Sequence, residues 1–136
     1  MAAVPAAPAR RSGTDLADVA LLVVGTTQVV LGALAFLAPG TFYDLIASYP
    51  PDNAHFLKDI GSWQVALGAA ALYAARRPAW RVPMLGILAL QYTLHAISHL
   101  IDVDVPDPAW QGTFALVTQA FGAVVLVALF LRERTR

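Results

Sequence analysis

Four residues of one apolar stretch, Gln91, His95, His99 and Asp102, recur at i, i+4, i+8 and i+11. On a helix turning about 100° per residue this spacing keeps them within about 80° of one another, a polar stripe on one face. A second stretch offers His55, Asp59 and Ser62 at i, i+4 and i+7. Imidazoles beside carboxylates can do three kinds of chemistry. Asp59 and Asp102 could orient the histidines in a buried hydrogen-bond network. His95 and His99, two histidines at i, i+4, could share a divalent metal completed by Asp59 or His55. The same groups could instead contact a haem or a quinone, or relay protons. A single helix cannot supply both axial ligands of one haem at i, i+4, so a bis-histidine haem would need His55 or a partner chain. The HxxxH pattern also lacks the glutamate of HExxH metalloproteases.

The elements that carry these residues are membrane-like. Of the 136 residues, 58% are hydrophobic and 13% charged, and the mean hydropathy is +0.62. Such a composition departs from that of a soluble domain. Four apolar runs, about 19–37, 56–75, 83–101 and 112–131, each approach the roughly 20 residues that cross a hydrocarbon core of about 30 Å. The fold expected is therefore an all-α membrane protein, a four-transmembrane-helix antiparallel bundle forming a single domain over 15–136. The Ala/Pro-rich segment 1–14 reads as a disordered cytoplasmic tail. The first run is longer than a cleavable signal usually is, so it is expected to be retained.

Several boundaries have specific markers. Thr14 or Ser12 can cap the first helix, with Asp15 and Asp18 in its first turn, and Pro39-Gly40 stops it. Phe42, Leu45, Ile46 and Tyr49 then fit a short amphipathic helix in the outer interface between spans 1 and 2, ended by Pro50-Pro51. Pro83 suits the first turn of the third span. Short links make consecutive spans antiparallel neighbours, which would carry Asp59 to His95 or His99.

Charge supplies the orientation. Arg10 and Arg11, then Arg76, Arg77 and Arg81, then Arg132, Arg134 and Arg136 all fall on one side. The opposite links hold Asp44, Asp52, Asp59, Asp102, Asp104 and Asp107 with a single cation, Lys58. The excess of arginine on cytoplasmic segments places both termini inside, in a multi-pass protein of the plasma (inner) membrane. The arginines are accounted for as anchors, and nothing suggests nucleic acid. With no cysteine, thiolate metal sites, iron–sulfur clusters and cysteine nucleophiles are excluded.

The first two spans share a motif. Gly25, Gln28 and Gly32 are echoed by Gly61, Gln64 and Gly68, each set within about 60° of arc. Glycines permit close helix approach, and an intramembrane glutamine amide can bond across the seam. Gln91 and Gln119 give the other two spans one amide each. The same echo is compatible with an inverted repeat of the transporter type.

The segment from Ala20 to Asp102 resembles the DoxX-like group of small four-helix bacterial membrane proteins. The likeness lies in Gly25…Gly32 with Pro39-Gly40, in Phe56-Leu-Lys58-Asp59-Ile-Gly61…Leu67-Gly68, in Arg76-Arg77-Pro78 and in the run from Leu94 to Asp102. Better-known relatives are implicated in quinone-linked sulfur oxidation or membrane redox-stress complexes. This chain has no thiol for such chemistry, so the resemblance implies the scaffold alone. The leading expectation is a non-enzymatic accessory or oligomer-forming component, partnered by the bilayer and by copies of itself or other membrane subunits. The alternatives are a redox- or metal-linked protein using the histidines and carboxylates, and small-solute transport by an oligomer.

Overall fold

A computed structural model describes residues 15–136; the expected tail over 1–14, with Ser12, Thr14, Arg10 and Arg11, lies outside the described residues. These residues form five α-helices and no strand: α1 Leu16–Leu37, α2 Pro39–Leu45, α3 Ala54–Ala74, α4 Pro78–Ile101 and α5 Trp110–Glu133. Three of them, α1, α4 and α5, are long and apolar enough to cross a membrane. The 21 residues of α3 match them in length, but Lys58, Asp59 and Gln64 make it less apolar.

Asp15 caps α1, its carboxylate accepting from the Ala17 amide at 3.5 Å. Asn53 caps α3 through the Phe56 amide at 3.1 Å. The short helix arrives earlier than its apolar spacing suggests. Only Ala38 separates it from α1, because Pro39 presets φ at N1 and continues the chain into a new turn. Likewise Pro78, not Pro83, opens α4, and Pro83 lies inside the helix. A proline near a helix start forfeits one backbone bond without ending the helix.

The helices associate as two pairs. α1 runs along α3 and α4 along α5, whereas α3 and α4 touch little despite their short link. Glycine explains the first pair. A Cβ on Gly32 would lie 2.7 Å from Gln64 Cβ and 2.8 Å from the Gly61 carbonyl oxygen, and one on Gly68 would lie 2.7 Å from the Gly25 oxygen. Gly25 thus faces Gly68 and Gly32 faces Gly61, an antiparallel register that brings the two copies of the shared motif face to face. In the second pair the Tyr92 ring lies over Gly122 and the Phe130 ring over Gly86.

At the arginine-rich end the two pairs merge around Ala17, Leu21, Ala71, Ala74, Met84, Leu85, Leu88 and Leu126. An ion network closes that end. Arg81 reaches Asp18, and Glu133 at 3.7 Å; Arg132 reaches Asp15, and Glu133 at 3.2 Å; Arg136 meets Asp15 at 2.7 Å and Glu133 at 2.8 Å. Burial pushes the Asp15 carboxyl upward, but the Ala17 amide, Arg136 and Arg132 outweigh it and hold it below its usual 3.8. At the opposite end Ala35, Phe42 and Leu57 pack α1, α2 and α3 together, and the α4–α5 pair stands apart from them.

Candidate functional site

The space between the pairs is a cavity of about 460 Å³, within the usual range for small-molecule sites. Leu31, Phe42, Phe56, Ile60 and Phe114 supply much of its apolar wall, and Gln64, His95, His99, Asp102 and Gln119 its polar points. The helical spacing of Gln91, His95 and His99 thus produces the stripe it implied. The Gln91 side-chain nitrogen lies 3.4 Å from His95 Nδ1, and the His95 and His99 rings stack with centroids 4.6 Å apart. Asp102 caps the C-terminus of α4 and is exposed at the same end.

The link after α2 closes over this stripe. The Tyr49 hydroxyl lies 2.6 Å from His99 Nδ1. Burial and then the Asp102 carboxylate raise the Tyr49 hydroxyl above its ordinary 10.0, so it stays protonated and can donate to that nitrogen. The Gln91 amide nitrogen can only donate to His95 Nδ1, which leaves the His95 proton on Nε2, and a phenol donating to His99 Nδ1 leaves that ring's proton on Nε2 as well. Beside Tyr49, the buried Ser48 hydroxyl contacts the Asp107 carbonyl at 2.6 Å and Gln111 Oε1 at 2.9 Å. The Ser48 amide also donates to Gln111 Oε1, at 3.4 Å. Tyr49, Ser48 and Gln111 were not legible as site residues, because their partners are 50 to 63 positions away and no local spacing marks them.

The structure does not bring His55 or Asp59 to the histidine pair. They face one another at 3.7 Å, with 88% and 62% of their side chains exposed. The glycine seam is the cause. Asp59 precedes Gly61 by two residues, about 160° around the helix, so seating Gly61 against α1 turns Asp59 outward. A metal set of His95, His99 and Asp59 is therefore not assembled, and no group of three or more His, Cys, Asp or Glu able to hold a metal occurs among the described residues. The seam residues Gly25, Gln28, Gly32, Gly61 and Gly68 are buried between α1 and α3 or beside their contact, and Gln64 is half-buried.

Chemically, the cavity offers two kinds of group. Gln64 Oε1 and Gln119 Oε1, like Gln91 Oε1, are buried and have no hydrogen-bond partner among the described residues. The Nε2 atoms of His95 and His99 likewise have no protein partner among the described residues. Acceptors and donors thus line an apolar chamber whose walls come from all five helices.

Among curated proteins and solved structures, none matches the chain. A family model for a domain of unknown function, DUF4345, matches residues 16–132, which takes in α1 to α4, all of α5 but its last residue, and every residue of the cavity. The chain belongs to the DUF4345 family.

Proposed function

We propose that this protein is a four-span membrane protein that binds a small amphipathic molecule in the half of the bundle farther from its arginines. The observation that carries this reading is the pair of buried, unpartnered carbonyls of Gln64 and Gln119 on one 460 Å³ cavity. Leaving a buried acceptor unpaired costs about 1–3 kcal/mol, which a donor on the bound molecule would recover. The ligand is mainly apolar and carries a hydroxyl or amine for the glutamines and an acceptor for the imidazoles. Of the ligands raised by the histidines, a quinone in its reduced, hydroquinone form suits these walls better than a metal or a haem, since it carries hydroxyls for the glutamines and Asp59 and His55 face away. Thermal unfolding with hydroquinones, long-chain alcohols and monoacylglycerols tests this. A binder raises Tm with concentration, and Ala115→Phe, which narrows the chamber, removes the response. If none of these compounds shifts Tm, or the narrowed variant responds equally, the reading fails.

The four-span arrangement is part of the proposal. It is supported by α3 lying antiparallel to α1 through both glycine pairs, which gives the less apolar helix the same depth as its neighbour. The arginine asymmetry supports termini in the cytoplasm of a plasma (inner) membrane. We extend the DoxX-like resemblance to this scaffold and no further. Because the chain has no cysteine, single cysteines at Ala75 and Asp104 can be labelled from outside intact cells. Only the one at Asp104 should react, and labelling of both would contradict the topology.

A second reading, an accessory subunit or homo-oligomer, is favoured by the outward face of α3. Ser62, Ala66, Ala69 and Ala70 are exposed there beside Trp63, and small side chains let another helix approach closely. Disulfide trapping of an Ala66→Cys variant in membranes would yield a dimer. A monomer alone removes this reading.

A further inference from the structure

Six arginines lie at one end among the described residues, but the three carboxylates there engage only half of them. Asp15, Asp18 and Glu133 take up Arg81, Arg132 and Arg136. Arg76 and Arg77 are exposed and have no carboxylate partner among the described residues. Both stand in the short turn between α3 and α4 and, with Leu72 and Tyr73, wall a surface hollow of about 550 Å³. The Arg77 guanidinium lies over the Tyr73 ring, 5.6 Å from its centroid. Trp80 meets that ring edge-on at 5.8 Å.

We propose that this hollow binds the headgroup of an anionic phospholipid, with the phosphate held by Arg76 and Arg77 and the first acyl segment lying along Leu72 and Tyr73. Guanidinium groups present forked N–H donors that match phosphate oxygens two at a time. The turn holds both arginines in place before any lipid arrives: the Arg76 amide donates to the Tyr73 carbonyl at 3.1 Å and the Arg77 amide to Ala74 at 3.1 Å. Depth selects a lipid over a soluble phosphate. Tyr73 and Trp80, each about half exposed, are the ring types that settle at headgroup level. Directly beneath them Leu72 and the exposed Ala69 and Ala70 offer an apolar track for a chain. A phosphate with no acyl chain would use only the upper half of this surface.

The test is native mass spectrometry of the full-length protein released from micelles after incubation with phosphatidylglycerol or phosphatidylcholine. Phosphatidylglycerol should be retained preferentially, and Arg76→Gln and Arg77→Gln should each weaken retention about fivefold. Arg134→Gln, which removes an exposed arginine at the same end but outside the hollow, should leave it unchanged. Equal retention of the two lipids, or undiminished retention by the double variant, overturns the proposal. So does displacement by glycerol phosphate at concentrations comparable to the lipid, which would assign the hollow to a soluble phosphate. Circular dichroism establishes whether the double variant folds. Where it does not, a salt titration of the wild-type protein decides, since retention that does not fall with ionic strength contradicts a phosphate–guanidinium contact.

Discussion

Replacing Gly32 by alanine puts a methyl group where α1 and α3 already touch. Its Cβ would stand 2.7 Å from Gln64 Cβ and 2.8 Å from both the Gly61 oxygen and the Val65 nitrogen, against 3.4 Å for ordinary contact. Two of these neighbours are backbone atoms, which no rotamer change can move, so the helices themselves must separate by roughly 0.7 Å. A gap of about 0.5–1 Å forfeits a quarter to a half of each van der Waals contact it opens. Overpacking of this kind costs about 1–3 kcal/mol, and the seam belongs at the upper end because it runs through both glycine pairs. Alanine's better helix propensity returns up to about 1 kcal/mol, leaving a net loss of about 1–2 kcal/mol. Gly40→Ala is the control, since a Cβ there meets nothing within 4 Å and only the propensity gain remains. The variants are compared by unfolding in mixed micelles of increasing SDS content, followed by far-UV circular dichroism. One separation admits both methyl groups, so Gly32→Ala with Gly61→Ala should cost less than the two single losses together. Should Gly32→Ala prove as stable as Gly40→Ala, the close seam, and with it the reason Asp59 faces away from the cavity, is refuted.

Other outcomes follow from single contacts. Tyr49→Phe removes the 2.6 Å bond to His99 and should lower stability by about 0.5–1.5 kcal/mol, read in the same assay, while freeing His99 Nδ1 for carbethoxylation by diethyl pyrocarbonate. Glu133→Gln leaves Arg81, Arg132 and Arg136 one carboxylate short and should cost about 1.5–3 kcal/mol, with the larger loss at low salt. Asp15 has a lowered pKa in the folded protein, so its stabilising contribution is complete above the unfolded value of 3.8 and is lost as pH falls through the lower folded value. Tm measured across that acid range should therefore fall less steeply for Asp15→Asn than for the wild-type chain.

What spacing alone could reveal was local. The polar stripe of α4 was legible because i, i+4, i+8 has one meaning on a helix, and the motif Gly25-Gln28-Gly32 announced a packing face. Its partner was also legible, since Gly61-Gln64-Gly68 repeats it. What could not be read was the rotation the seam imposes. A short link suggested that α3 and α4 face each other, yet the glycines bind α3 to α1 and the aromatic rings over Gly86 and Gly122 bind α4 to α5. The cavity is the consequence of that pairing and appears in no single segment. Tyr49 and Gln111 line it through contacts between distant segments, Gln111 being held by the buried Ser48. The arginines were legible as a cluster by sign alone, whereas their division, among the described residues, into three paired with carboxylates and three not depends on Glu133, a residue that no periodicity distinguishes.

The proposed function requires the chamber between the two helix pairs to be a binding site. Organic extraction of the protein purified in mild detergent, followed by mass spectrometry of the extract, tests this directly, with the variant Gln64→Leu/Gln119→Leu purified in parallel. The prediction is one lipophilic species carrying a hydroxyl or amine, present at about one molecule per chain and lost from the variant while helix content is preserved. Recovery of the same species in equal amount from both proteins, or of bulk lipid alone from the wild-type chain, would contradict it.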